Sequence, residues 1–254
     1  VTNGLKIASQ HNHITADLSL GKGVTDVERK NNAFQIFVDS SDLLLTNAKQ
    51  LTLCLGPWSP VISKWTRFCQ TDSRFVKLIE NEIFSYKVHS VVMKDPFKAP
   101  NKVYFVDFPG GSSIEVYPRP DHNIYICGTK SKKPIPLDSP SDVDVEPKKV
   151  ATLTKYIENF SSQLISSSSS SSQDSEPIIK QACYLPFTKH HLPLMGCVGD
   201  SLHVAVGHGV WGILMAPASG ILLSYQLLQQ QCPIKAQTQI AFQKHLKQLL
   251  EQQE

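Results

Sequence analysis

Leu202-His203-Val204-Ala205-Val206-Gly207-His208-Gly209-Val210-Trp211-Gly212-Ile213-Leu214 joins an alternating β-type run to an apolar helical run through a literal G-x-G-x-x-G. A strand, a glycine turn and a helix in this order form the opening of a dinucleotide-binding βαβ unit. Such a unit also needs an acid about 20 residues on, and a second parallel strand. After Gly212 the only acids are Glu251 and Glu254, and no second β-branched run follows. This stretch therefore does not open a Rossmann unit. Two uses of its glycines stay open. They let a backbone approach a ligand at a helix N-terminus, where free N–H groups and the helix dipole favour an anion or a ring oxygen. Alternatively, they serve a tight strand-to-helix turn through packing alone.

Outward from this stretch, the chain reads as a mixed α/β protein. Gln50–Leu55 is a compact apolar strand that ends at Gly56-Pro57-Trp58-Ser59-Pro60. Short strands are predicted at Phe34–Val38 and Leu43–Leu45, with one helix across 61–80. A β-rich block follows, at Tyr86–Met93, Val103–Phe108, Ser113–Tyr117 and Ile124–Cys127, separated by Pro and Gly turn formers. Val150, Leu153, Ile157 and Phe160 fall at helical spacing within Lys148–Leu164. A run of seven serines, Ser166–Ser172, predicts a surface insertion over 165–176, because serine buries no apolar area. Ile178–Tyr184 reads as a strand, Gly212–Leu228 as an apolar helix and Ala236–Gln252 as an amphipathic one.

Composition excludes several classes. Its 254 residues are 41% hydrophobic, too apolar for general disorder. A net charge of +3 and four arginines (Arg29, Arg67, Arg74, Arg119) do not make a nucleic-acid binder. The six cysteines include no CxxC pair, so no metal site is expected, and an intracellular, cytoplasmic setting is the default. The uncharged run from Gly209 to Cys232 holds Pro217 and turns Gln-rich after Tyr225. It predicts no membrane span.

Several islands together resemble the D-amino-acid-oxidase-like FAD-dependent oxidoreductases, which include glycine and sarcosine oxidases and a fungal branch. They are Leu53–Ser59, Tyr86–Val92, Ile124–Thr129, Cys183–Thr188, Leu192–Gly196 and Leu202–Gly220, in the family's order. The resemblance implies FAD as cofactor, with hydride transfer from a small amine or amino-acid-like substrate. It implies a partial FAD-binding domain with an inserted substrate domain built on a mixed, largely antiparallel sheet. The implied boundaries are 1–80 for a remnant of the FAD-binding domain and 81–164 for the substrate domain. Residues 165–176 form the Ser-rich insertion, and 177–254 return to the first domain with a terminal helix. Cofactor contacts are implied at Gly56, Trp58, Cys183, Gly207, His208, Gly209, Val210, Trp211, Gly212 and Ile213. No catalytic residue is assigned.

Departures from the family pattern matter as well. Leu185 and Val210 stand where relatives carry carboxylate-clamping arginines, which leaves Arg119 either as a replacement or as an ordinary turn residue. Cys183 falls where some members attach flavin covalently, or it is a small packing residue. His208 either meets the flavin ring or is structural. The family's own N-terminal G-x-G-x-x-G does not occur ahead of Gly56, so the expectation is of a chain that lacks the ADP-binding unit. The rival reading is a degenerate relative acting as an interaction or trafficking protein.

Overall fold

The structure is a computed structural model that describes residues 21–38, 43–94, 102–109, 112–160, 177–199, 201–228 and 236–253. The serine run lies outside these residues. Three sheets organise the described chain. The first is an antiparallel meander of β1 (Val24–Lys30), β2 (Ala33–Val38) and β3 (Leu43–Ala48). Asn31 and Asn32, both at positive φ, make the two-residue turn between β1 and β2. The polarity of residues 1–30 hid β1, in which Val27 alone enters the core.

The second sheet has the order β10 (Leu194–Gly199), β11 (Leu202–Val206), β4 (Leu51–Leu53). β10 and β11 form a hairpin, whereas β4 runs parallel to β11, with Leu53 beside Val204. β10 escaped prediction because it carries two glycines and no clean alternation.

Between β4 and the third sheet the single expected helix is three pieces. A 3-10 segment covers Gly56–Lys64, followed by α1 (Thr66–Thr71) and α2 (Ser73–Glu82). Pro57 and Pro60 lack the N–H that an α-ladder needs, which explains the tighter first piece. Asp26 of β1 accepts the Arg67 N–H at 3.1 Å and so caps α1 from a distant strand. Phe68, Leu78 and Ile79 then pack with Leu53, Val204 and Leu246 in one core.

The third sheet has the order β6 (Tyr104–Phe108), β7 (Ser112–Pro118), β8 (Asn123–Ser131), β5 (Ile83–Lys94), β9 (Ile179–Thr188), all antiparallel. α3 (Pro147–Phe160) covers one face through Val150, Leu153 and Ile157, against Val91, Ile114 and Ile126. Alternation along each strand sends Ser90, Cys127, Glu115 and Cys183 to the other, open face. Lys87, on the α3 side, is fully buried and pairs with Asp144 and, at 3.3 Å, with Glu146.

α4 (Gly212–Leu227) follows β11 through a short 3-10 turn at Gly209–Trp211 and buries Leu222 and Leu223. By length and composition Gly209–Leu227 is apolar enough to cross a membrane, with mean hydropathy 1.3 and 17% of its apolar window buried. The sequence reading sets this stretch aside on its length, Pro217 and internal glycines and serines; the helical run, counted from Gly209, is 19 residues long, so length by itself does not separate it from a spanning helix. α5 (Ala236–Glu251) docks on β10 through Gln243. Its Oε1 accepts the Cys197 N–H at 3.1 Å and its Nε2 donates to the Cys197 carbonyl at 2.7 Å.

Candidate functional site

The Gly207–Gly212 turn carries the chain from β11 to α4 and touches the third sheet at the end of β9. Phe187 and His208 form an antiparallel bridge there. Gly207 has φ +84 and Gly209 has φ +57, the left-handed region that favours glycine. A Cβ on Gly207 would sit 2.5 Å from Thr188 Cγ2, and one on Gly209 would sit 2.8 Å from the Phe187 ring. Of the two uses left open above, packing accounts for both of these glycines. Gly212 differs: it has ordinary helical φ, and nothing closer than 3.8 Å would meet its Cβ.

His208 Nε2 lies 3.0 Å from Ser219 Oγ, tying the turn to the second turn of α4. Burial pushes the His208 ring below the usual histidine range, so it holds as a neutral tether. Its partner is a side chain on α4, adjacent in space but eleven residues on in sequence. Spacing within a strand–turn–helix unit gives no sign of it.

The start of α4 is open. Its N-cap, Trp211, makes no side-chain capping bond. The exposed side chains are Val210 at 44%, Trp211 at 61%, Ile213 at 95% and Leu214 at 74%. Beside them the open face of β5 and β9 is aromatic. Phe84 stacks on Phe187 at 5.8 Å, and Tyr86 meets Phe187 edge-on at 5.4 Å. Lys132 Nζ lies 5.7 Å from the centre of the Tyr86 ring. Alternation along β9 adds Leu185 and Cys183 to this face. Exposed apolar groups, an uncapped helix N-terminus and an aromatic strand end thus share one corner. That corner suits a flat, partly apolar ring with electron-rich edges. The aromatic strand pairs that complete it were legible only as β-formers.

The other expected contacts fall elsewhere. Gly56 opens the 3-10 segment at φ +55. Trp58 donates from Nε1 to the Pro136 carbonyl at 2.8 Å and meets the Tyr184 ring at 6.3 Å. Tyr184 points opposite to Cys183 on β9, so Trp58 lies behind the sheet rather than on its open face. Cys183 is exposed, yet desolvation by its surroundings pushes its thiol up. That is opposite to the thiolate activation a covalent attachment draws on. Leu185 places an apolar group where the resemblance implied a clamp. Arg119 lies over the Tyr125 ring, 4.9 Å from its centre, on the far strands. Among the described residues, no three His, Cys, Asp or Glu are placed to hold a metal ion.

A family model described as "FAD dependent oxidoreductase" matches residues 5–226. The chain belongs to that family. A Schizosaccharomyces pombe protein described as a "putative oxidoreductase" is 32% identical over 187 residues, 71% of this chain and 42% of its own length. The chain thus spans under half of that relative. Glycine oxidase from Geobacillus kaustophilus has a similar fold, with TM-score 0.62 at 16% identity, over 84% of this chain and 49% of its own. A Mycoplasma pneumoniae L-alpha-glycerophosphate oxidase, solved with FAD bound, gives TM-score 0.57 at 15% identity, over 84% and 52%.

Proposed function

We propose that this chain forms the ring-side part of an FAD site and takes part in hydride transfer from a small amine-type substrate. The observation that carries the proposal is the start of α4, an uncapped helix N-terminus flanked by exposed Trp211 and Ile213 at the aromatic end of β5 and β9.

FAD, when bound, supplies the two-electron acceptor. The chain's own contribution is positional and electrostatic. Gly207 and Gly209 let the turn seat against Thr188 and Phe187, which fixes the direction of α4. The N-terminal end of its dipole, without a side-chain cap, would favour negative charge on the edge of a ring held there. Phe84, Phe187 and Leu185 line this face, so a ring seated on them would be partly shielded from water, which would strengthen those interactions. The neutral Leu185 and Val210 favour an amine that lacks a carboxylate needing a clamp. Gly56, Trp58 and Cys183 are retained as cofactor contacts in this proposal, Cys183 as a neutral thiol. The division at 80/81, 164/165 and 176/177 and an intracellular setting are parts of the same reading. Unpaired thiols at Cys54, Cys69, Cys127, Cys183 and Cys197 support the latter.

The test is flavin binding by the purified chain. FAD is expected to quench tryptophan emission saturably and to change its own visible spectrum. Gly209→Val, which drives a branched side chain into Phe187, is expected to abolish both. A chain that carries no flavin from cells and leaves the FAD spectrum unchanged sinks the proposal and favours a non-catalytic relative.

A further inference from the structure

β5 outruns its neighbour on one side. Its ladder with β9 reaches down to Ile83, paired with Thr188, whereas its ladder with β8 stops at Lys87, paired with Ser131. The start of β5 therefore has an open edge. The Lys189 N–H donates to the Glu82 carbonyl at 3.2 Å, which sets the phase of the β5–β9 ladder. Alternation from that bond turns the backbone groups of Phe84 toward β9 and those of Ser85 toward the gap that β8 leaves. The Ser85 hydroxyl is buried and has no hydrogen-bond partner. An unsatisfied buried hydroxyl is costly, so a ligand that accepts from it is favoured.

The gap has a fixed far wall. After Ser131 the chain leaves the sheet as a strap without helix or strand. Trp58 Nε1 donates to the Pro136 carbonyl at 2.8 Å, and the Tyr184 hydroxyl donates to the Pro134 carbonyl at 2.9 Å. The two prolines restrict the backbone between these anchors. Between strap and strand lies a cavity of about 460 Å³, with Pro60, Ile83, Ile135 and Leu137 as apolar walls and Ser85 and Lys132 as polar lining. That volume falls within the range of about 300–1,000 Å³ typical of small-molecule sites.

Lys132 is an exposed cation whose Nζ lies 5.7 Å from the centre of the Tyr86 ring. Among the described residues no carboxylate pairs with it. The neighbouring charges are already matched, Lys133 by Glu146 at 2.8 Å and Lys64 by Asp138 at 2.5 Å. The cavity thus offers an unbalanced ammonium, a free hydroxyl and an outward-facing backbone N–H, set among apolar walls.

We propose that this cavity binds a small monocarboxylate with a compact apolar body. Lys132 and Ser85 hold the carboxylate, and the body covers Pro60, Ile135 and Leu137. Charge-assisted donors suit a carboxylate, whereas an amine in the same place meets Lys132 and is repelled. Phe84 lines this cavity and stacks on Phe187 at the neighbouring corner, so the two sites adjoin. Nothing in this one requires flavin.

The test titrates cyclohexanecarboxylate into the purified chain without FAD, at neutral pH and constant ionic strength, by calorimetry. Saturable binding of one molecule per chain is expected. Lys132→Gln, with an unchanged thermal midpoint, is expected to weaken it about tenfold or more, as loss of a hydrogen bond to a charged group does. Ser85→Ala is expected to weaken it several-fold, and Leu137→Trp, which fills the cavity, to abolish it. Acetate lacks the apolar body and cyclohexylamine the charge, so both are expected to bind far more weakly. A hexapeptide ending in leucine presents the same carboxylate on a chain and is expected to be excluded by the size of the cavity. The proposal is overturned by unsaturable heats, by equal affinity in Lys132→Gln, by cyclohexylamine matching the acid, or by tighter binding of the peptide.

Discussion

Replacing Gly207 with alanine places a methyl group 2.5 Å from Thr188 Cγ2, a contact that real Cβ atoms do not make. Thr188 has no room to yield. It is fully buried, and its Oγ1 donates to the Leu192 carbonyl at 2.7 Å, which holds χ1. Two costs add. A non-glycine residue at φ +84 loses about 1–2 kcal/mol, and overpacking adds about 1–3 kcal/mol. Gly207→Ala is therefore expected to destabilise the chain by about 2–5 kcal/mol. Thr188→Ser keeps the hydroxyl and removes the obstructing methyl, at about 1 kcal/mol for the lost burial. In the double variant the clash vanishes while the backbone cost remains, so the two changes couple favourably by about 1–3 kcal/mol. Urea unfolding of the four proteins, followed by tryptophan emission, measures that coupling. Additivity within about 0.5 kcal/mol would refute the claim that Gly207 exists to let the turn seat on Thr188.

Lys87→Met tests the buried charge on the α3 side of the sheet. Hydrogen bonding to Lys87 holds Asp144 below the usual carboxylate range, and Lys133 followed by Lys87 does the same for Glu146. Depressed carboxylates stabilise the fold above their unfolded pKa near ~4 and lose that contribution as pH falls through the folded values. The stability gap between wild type and Lys87→Met is thus expected to be large at pH 7 and to narrow between about pH 4.5 and 2.5. A gap that stays constant across that range would remove Lys87 from the account. Cys127, pushed up to about 12 chiefly by burial, is expected to alkylate with iodoacetamide at pH 8 at least a hundredfold more slowly than a free cysteine. Peptide mass spectrometry reads this, and comparable rates would place the thiol in a different environment.

Much of the site's skeleton was legible before any coordinates. Leu202–Val206 and the helix start at Gly212 match the prediction to the residue, because alternation and glycine punctuation are local signals. The 3-10 segment at Gly56–Lys64 was misread, since the apolar spacing of Val61, Ile62 and Trp65 hid what Pro57 and Pro60 forbid. β10 and β1 were missed because one holds glycines and the other is polar on both flanks. The sequence leaves His208 as either a flavin contact or a structural residue, and its partner Ser219 is defined only once α4 has formed.

The sequence alone determined the strand–glycine–helix unit, the β-rich block and the family resemblance, since each depends on residues close together in the chain. Tertiary structure decided which surfaces those residues share. Period-two alternation sorts side chains within one strand, but register between strands is set by distant pairing and turn geometry. That register alone ends the β5–β8 ladder at Lys87 and leaves Ser85 facing a gap. It also places Trp58 behind the strand that presents Cys183. The same principle assigns the two glycines. Their φ requirement is readable in a turn, whereas the atoms they accommodate, on Thr188 and Phe187, arrive from another sheet.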